Sequence, residues 1–375
     1  MSLIGRASKA QVPPEYQKHS VSDGDTGTAS TGPVYELITD ERDLLTIAGL
    51  DPDEWMIEGK AHQWSKETVD GRTLRSFFFG YRRRVEQIDL PALYAEVART
   101  TYRPVKHEVG AATLVVAWAD MQLGKVGSRG GTPELLVRLA QKRVALEAHM
   151  KSRKITRSVF VDVGDSNEGF ENVASQMFTN DLSLPQQIDC AAVEEWKTIV
   201  LMARYGPVKA LSVPSNHGAW RAGKQILGRP GDDWGLVVQS RLEFQAALIG
   251  LPVEFHRPGE WDESVAVDVQ GTRLGVHHGH QSACDQMPKW WAGQQHGAQA
   301  TADADILLTG HYHHLRVMPT GRSQRTGKSK WWLQCPTLDN GSDWFRNKSG
   351  DDSDPGLLVF EVNDDGFDLQ SLTIL

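Results

Sequence analysis

Cysteine is scarce in this sequence. Its 375 residues hold only Cys190, Cys284 and Cys335, far apart and odd in number. No CxxC pair and no zinc-finger spacing occurs, which argues against a thiolate-rich metal site and leaves reduced intracellular thiols as the expectation. Long apolar runs are missing too. None approaches the ~20 residues that a membrane helix needs, and the opening stretch MSLIGRASKAQVPPEYQKHS lacks the apolar core of a signal peptide. A cytoplasmic protein with no membrane partner is therefore expected. Net positive charge is also absent: 40 Lys and Arg face 48 Asp and Glu, a formal net charge of −8. That argues against coating nucleic acid by bulk attraction. It leaves a phosphate substrate open, because bound divalent ions invert the local field. No internal repeat of fixed period is seen.

The chain is long enough for one large domain and a small one. Residues 1–33, rich in Ser, Thr, Gly, Asp and Pro, read as a disordered tail. Residues 34–104 read as a small α+β accessory unit. In it, Asp40 caps a helix running to about Ala48, and two strands flank the Val69-Asp70-Gly71 turn. A short helix from about Pro91 to Thr100 leads to Pro104 as the boundary. From there to residue 375, strands alternate with helices at 134–149, 184–205 and 234–249, and short strands follow beyond 250. The fold class is α/β, with βαβ units.

Chemistry concentrates at strand ends. LVVAWADMQLGK puts Asp120 and Gln122 behind an apolar strand, and VFVDVGDSNEG does the same for Asp165. ALSVPSNHGAW places Asn216 and His217, LGVHHGHQ places His277, His278 and His280, and LLTGHYHHLRV places His311 and His313. Two His at i and i+2 point the same way from an extended segment, and imidazole is a common metal ligand. Ligands of open α/β sheets bind outside the carboxyl ends of strands. Five such endings in succession read as one constructed site.

The order of these blocks resembles the calcineurin-like metallophosphoesterase superfamily, whose motifs run D-x-H, G-D-x-x-[DN], G-N-H-[DE], His before Gly, and G-H-x-H. Here they stand as Asp120-Met121-Gln122, Gly164-Asp165-Ser166-Asn167-Glu168, Ser215-Asn216-His217-Gly218, His278-Gly279 and Gly310-His311-Tyr312-His313. The resemblance covers about residues 110 to 345. Gln122, Glu168, Ser215 and Gly218 depart from the pattern. The layout, including Gly124-Lys125, is also similar to exonuclease-like phosphoesterases of bacteriophages, which implies the host cytoplasm if the chain is phage-encoded.

The resemblance implies a four-layer α/β/β/α sandwich. It also implies two divalent ions, about 3.5–4 Å apart, with a metal-bound hydroxide as the nucleophile. Asp165 would bridge them, with Asp120, Gln122 and His313 on the first and Asn216, His278 and His311 on the second. A mix of carboxylate, imidazole and amide oxygen suits manganese, with iron or zinc as alternatives. Gln122 is either a weak neutral ligand, favouring loose occupancy or a harder ion, or not a ligand at all. His280 is the second choice at the His278 place, and His277 is expected to pack in the sheet. His217 is expected to act as general acid or to stabilise the transition state.

Lys125, Asn167 and Arg221 are candidates for phosphate contacts, as is Lys224. The basic stretch 321–330 reads as a backbone contact for nucleic acid or as a solvated hairpin tip. Trp290-Trp291, Trp331-Trp332 and Trp344-Phe345 are either core or base-stacking pairs. The expected function is a DNA nuclease or exonuclease-like phosphodiesterase with DNA as partner, and dimers are common in such relatives. The alternatives are a phosphatase of small phosphomonoesters or phosphoproteins, cyclic-nucleotide hydrolysis, and a binding module that has lost catalysis at Gln122.

Overall fold

A computed structural model describes residues 12–84, 89–99, 102–105, 110–170, 176, 178–223, 225–350 and 352–375. Lys224, residues 1–11 and the side chains of Trp344 and Phe345 lie outside the described part. The chain divides into two compact units, one ending at Gln87 and the other beginning at Ile88.

The first unit is an antiparallel sheet with one helix. Its elements are β1 (His19–Asp23), β2 (Thr26–Ser30), α1 (Glu41–Ala48), β3 (Trp55–Glu67) and β4 (Thr73–Arg83), in the strand order β1-β2-β4-β3. Residues 19–30, taken above as part of a disordered tail, thus form a hairpin. Asp23↔Thr26 closes it around Gly24, whose φ of 68° suits glycine. Small polar side chains hid the strand signal, but Ala29 and Ser30 are buried at the centre of the sheet. Asp40 caps α1 by accepting from the Arg42 N–H at 2.9 Å. Leu44, Leu45 and Ala48 of α1 pack on Ile57, Phe77, Phe79 and Tyr81.

The second unit begins with α2 (Leu90–Arg99). Its Leu90, Leu93 and Val97 pack into the core of the larger unit, and Glu96 pairs with Lys197 at 2.7 Å. The division therefore falls before this helix, not at Pro104. Then follow β5 (Thr113–Trp118), α3 (Thr132–Ser152), β6 (Ser158–Asp162), α4 (Leu184–Ala203), β7 (Val208–Ser212), the short pair β8 (Arg221–Ala222) and β9 (Gln225–Ile226), α5 (Trp234–Ile249) and β10 (Val253–His256). The remainder is β11 (Ser264–Val269), β12 (Thr272–His277), α6 (Met287–Gly293), β13 (Ile306–Thr309), β14 (Arg316–Arg322), β15 (Ser329–Gln334), α7 (Asp343–Ser349), β16 (Leu358–Asn363) and β17 (Gly366–Ile374).

Two sheets result, β10-β7-β6-β5-β16-β17 and β11-β12-β13-β15-β14. Strand alternation sorts their side chains between layers. Leu114, Val116 and Trp118 of β5 face the helices α3, α4 and α5, while Val115, Ala117 and Ala119 meet Val276, Ile306 and Leu308 of the second sheet. On that sheet's other side Met287 and Trp291 of α6 pack on Leu307 and Trp332. Helices, sheet, sheet and helix make the four-layer α/β/β/α sandwich. The parallel pairs β5·β6, β6·β7 and β12·β13 direct the ends of these strands to one edge of the two sheets.

Candidate metal centre

The strand ends turn sharply into the site. Among the described residues, eight non-glycine residues have positive φ, and five are motif residues: Asp120 (51°), Gln122 (46°), Asp165 (53°), His311 (68°) and His313 (61°). Such left-handed backbone costs an L-residue of order 1–3 kcal/mol and persists only where surrounding contacts fix it. Here they do. Asp120 N–H donates to Gly164 O at 3.1 Å and Gln122 N–H to Asp165 O at 2.8 Å, so the first two loops are sewn together. His311 N–H reaches both Asp120 carboxylate oxygens at 3.1 Å.

One half of the site is tightly drawn. Asp165, His278 and His311 each present a ligand atom, all within 4.8 Å of one another. His278 Nδ1 lies 2.9 Å from Val163 O and donates to it. Its Nε2 then faces Asn216 Oδ1 at 2.9 Å and Asp165 Oδ2 at 3.2 Å. A lone pair, an amide oxygen and a carboxylate oxygen converge on one buried point. Such a set of acceptors requires a cation between them, either a proton or a metal. Burial pulls the His278 ring down, but the Asp165 carboxylate outweighs it and raises the ring to about 9. Burial, then the neighbouring His278, lowers His311 to about 2, so it offers a neutral lone pair. Carboxylate, two imidazoles and an amide oxygen fit a divalent transition ion.

The other half is built differently. His313 Nε2 stands 3.5 Å from Asp120 Oδ1. Lys125 reaches in, with Nζ 2.5 Å from Gln122 Oε1 and 2.5 Å from Asp339 Oδ2. The Gln122 carbonyl is therefore held by an ammonium, and its amide nitrogen is turned to His217 Nε2 at 3.3 Å. Asp339 is buried, and although burial raises its carboxyl, the Lys125 ammonium holds it down at about 2. No motif flagged Asp339, yet the signal was there: LQCPTLDN is another apolar strand end, β15, followed by a polar turn.

His217 sits between these halves. Its backbone N–H donates to Asp165 Oδ1 at 2.9 Å. Its Nδ1 donates to Glu168 O at 2.8 Å and lies 3.3 Å from Glu168 Oε2. Nε2 stands 3.9 Å from Asp165 Oδ2. Burial lowers this ring, but Asp165 and Glu168 together lift it to about 10. Glu168, at the second block's final place, is thus the group that orients His217.

The remaining candidates separate. Arg221 donates from Nε to Asn216 O at 3.0 Å, beside the site. Asn167 is fully buried, and neither side-chain amide atom has a hydrogen-bond partner among the described residues. His280 stands back, its ring centroid 5.5 Å from that of His278 and 6.2 Å from that of His311. His277 is buried against Glu263, at 3.7 Å. In the basic hairpin Arg325 bonds Asp305 and Lys330 lies 4.2 Å over the Trp291 ring. Trp291 and Trp332 are core, whereas Trp290 and Trp331 are half-buried.

No protein-family model matches the chain, and no curated protein does. Among solved structures, a conserved uncharacterized Streptococcus pneumoniae protein predicted to be a phosphoesterase aligns over 71% of this chain and 98% of its own, at 12% identity and TM-score 0.28. Vps29 of Chaetomium thermophilum, in complex with a cyclic peptide, aligns over 70% and 94%, at 9% identity and TM-score 0.30. A Staphylococcus aureus protein provisionally assigned as a 5′-nucleotidase aligns over 70% of this chain and 54% of its own, at 12% and 0.30. Likenesses this weak assign no function to the chain. Among the described residues no helix is long and apolar enough to cross a membrane.

Proposed function

We propose that this chain is a metal-dependent phosphodiesterase acting on nucleic acid, with the exonuclease-like reading of the motifs as the specific form. The observation that carries the metal-dependent hydrolase is the convergence of Asp165, Asn216, His278 and His311 on one point beside His217, whose Nδ1 lies against Glu168. Those four residues would hold one divalent ion. Asp120 and His313, with Asp165, would offer a place for a second, and the mix of carboxylate, imidazole and amide oxygen suits manganese, with iron or zinc as alternatives. A bound divalent ion neutralises the phosphoryl oxygens and activates water.

The chain's own groups supply the rest. Glu168 holds the Nδ1–H of His217, so Nε2–H faces the site and gives a proton to the leaving oxygen. The Gln122 amide, fixed by Lys125, aims a second N–H at the same place. With His217 protonated at both nitrogens, its Nε2–H and the Gln122 amide N–H, whose nitrogens lie 3.3 Å apart, would both donate to the leaving oxygen. This accounts for a glutamine at a place where the motif has histidine. Gln122 serves the substrate and leaves the metal to Asp120 and His313.

The test is a metal-by-substrate screen on metal-stripped protein. Manganese, zinc, iron, nickel and magnesium are crossed with bis-p-nitrophenyl phosphate, p-nitrophenyl phosphate, and single- and double-stranded DNA. Manganese-dependent cleavage of the diester and DNA supports the proposal. Activity confined to the monoester moves the chain to the phosphatase reading, and no turnover with metal bound moves it to a binding module.

A further inference from the structure

A cavity of about 290 Å³ opens next to the histidine cluster, walled by Trp261, Glu263, His277, Gln281, Trp290 and Gln294. It is one imidazole away from the metal-type ligands. The His277 ring stacks on His280 at 6.0 Å and 15°, and His280 in turn lies 5.5 Å from His278. His277 and Gln281 of its wall belong to the LGVHHGHQ stretch, but neither is among the metal-type ligands, and the phosphodiesterase chemistry does not use the cavity.

Its lining selects a ligand by charge, shape and hydrogen bonding. Among the described residues no Lys or Arg lines it, while the Glu263 carboxylate does, which disfavours phosphate and carboxylate. The Arg229 guanidinium, 5.6 Å from the Trp261 ring centroid, is paired with Asp232 and Glu260. Two indoles offer flat faces: Trp261 is 72% exposed, and Trp290 is half-buried against His277. The glutamines have turned their amide nitrogens to the protein. Gln281 donates to Glu263, Gln294 to Trp290 O at 3.2 Å, and Gln299, also in the lining, to Gly297 O at 3.3 Å. That leaves their carbonyl oxygens free to serve, with the Glu263 carboxylate, as acceptors. A neutral, flat, aromatic group bearing N–H donors is what complements such a wall.

We infer that this cavity binds an amino-bearing nucleobase, with guanine as the best match. Its N1–H and 2-amino group would meet Glu263 and the glutamine carbonyls while its ring lies against Trp261. The base is that of the nucleotide next to the scissile phosphate, a statement that rests on the phosphodiesterase reading. The binding of the base itself needs no metal.

Calorimetric titration of the full-length chain with guanosine, uridine and inorganic phosphate tests it, using wild type and Trp261→Ala. The exposed Trp261 can be removed without opening a core. Guanosine is expected to bind at least about tenfold more tightly than uridine. Trp261→Ala should weaken guanosine by about tenfold, the scale of one lost base–aromatic stack, and leave phosphate unchanged. No guanosine binding, equal affinity for the two nucleosides, or an unaffected variant overturns the inference. Hydrolysis of bis-p-nitrophenyl phosphate is measured alongside. Guanosine binding without any diester hydrolysis would sink the phosphodiesterase and keep the base pocket. Hydrolysis without nucleoside binding would do the reverse.

Discussion

Gln122 and His217 carry the least conventional chemistry of the site, and each can be tested alone. With its carbonyl held by Lys125 at 2.5 Å, Gln122 is proposed to act as a donor to the substrate rather than as a ligand. Gln122→Ala should therefore leave metal content unchanged by elemental analysis while lowering kcat by ~10²-fold, the scale of one lost transition-state donor. A fall in metal content instead would make Gln122 a ligand. His217→Ala should likewise keep the metal and lose ~10²–10⁴ in rate, and an undiminished rate would remove it from the mechanism. Most of this site could be read from residue order alone, because Asp, Asn and His at the ends of apolar strands stand out against their surroundings. The roles of Lys125 and Asp339 could not. They depend on a salt bridge across 214 positions of sequence, which no local pattern records.

At the scale of elements, the loops rather than the strands are under constraint. Gly164 has φ 98°, and a Cβ there would stand 2.7 Å from Ser215 Cβ and 2.8 Å from His278 Nδ1. Gly164→Ala should push the Asp165 and Asn216 loops apart, weakening metal binding and lowering stability by about 1–3 kcal/mol. Metal titration and chemical unfolding measure the two effects.

Behind these loops Ser166 Oγ sits 3.0 Å from both Asp162 Oδ1 and Glu195 Oε1. A hydroxyl has one proton to give, so one carboxyl must bring its own. Burial, then Asp162, raises Glu195 well above its ordinary 4.5, which makes it the protonated partner. Folded Glu195 thus keeps its proton to a higher pH than the unfolded chain does. Stability should fall as pH rises above about 4.5, until the folded group too ionises. Glu195→Gln retains the hydrogen bonds without a titrating proton, so the decline of the urea midpoint between pH 5 and 8 should become shallower. An unchanged slope would assign the proton elsewhere. The strands that place all this were legible from their apolar runs. The hairpin of β1 and β2 was not, since Ser, Thr and Gly compose disordered tails as readily as edge strands.

The whole molecule consists of two units with separate cores, one around Phe79 and Tyr81 and one shared among α3, α4, α5 and the two large sheets. Two calorimetric transitions are expected. Phe79→Ala, at a fully buried position, should lower one of them by about 3–5 kcal/mol and leave the other, with metal binding, in place. A shift of both would mean a single cooperative unit. Strand–helix alternation indicates the α/β class, and the four layers rest on the order of the motifs, whereas the amphipathic pattern of α2 says that it packs but not on which unit.

The ligand set also has a mechanical meaning. Asp120, Asp165 and Asn216 hang from the first large sheet, and His278, His311 and His313 from the second. An ion held by both is a clasp across the seam of the sandwich, at the rim where apolar packing between the sheets ends. Sliding one sheet along the other, even by a fraction of a residue, would open it. If these residues hold the ion proposed above, that ion would also keep the sheets in register, and stripping the metal should loosen the chain as well as abolish any metal-dependent turnover.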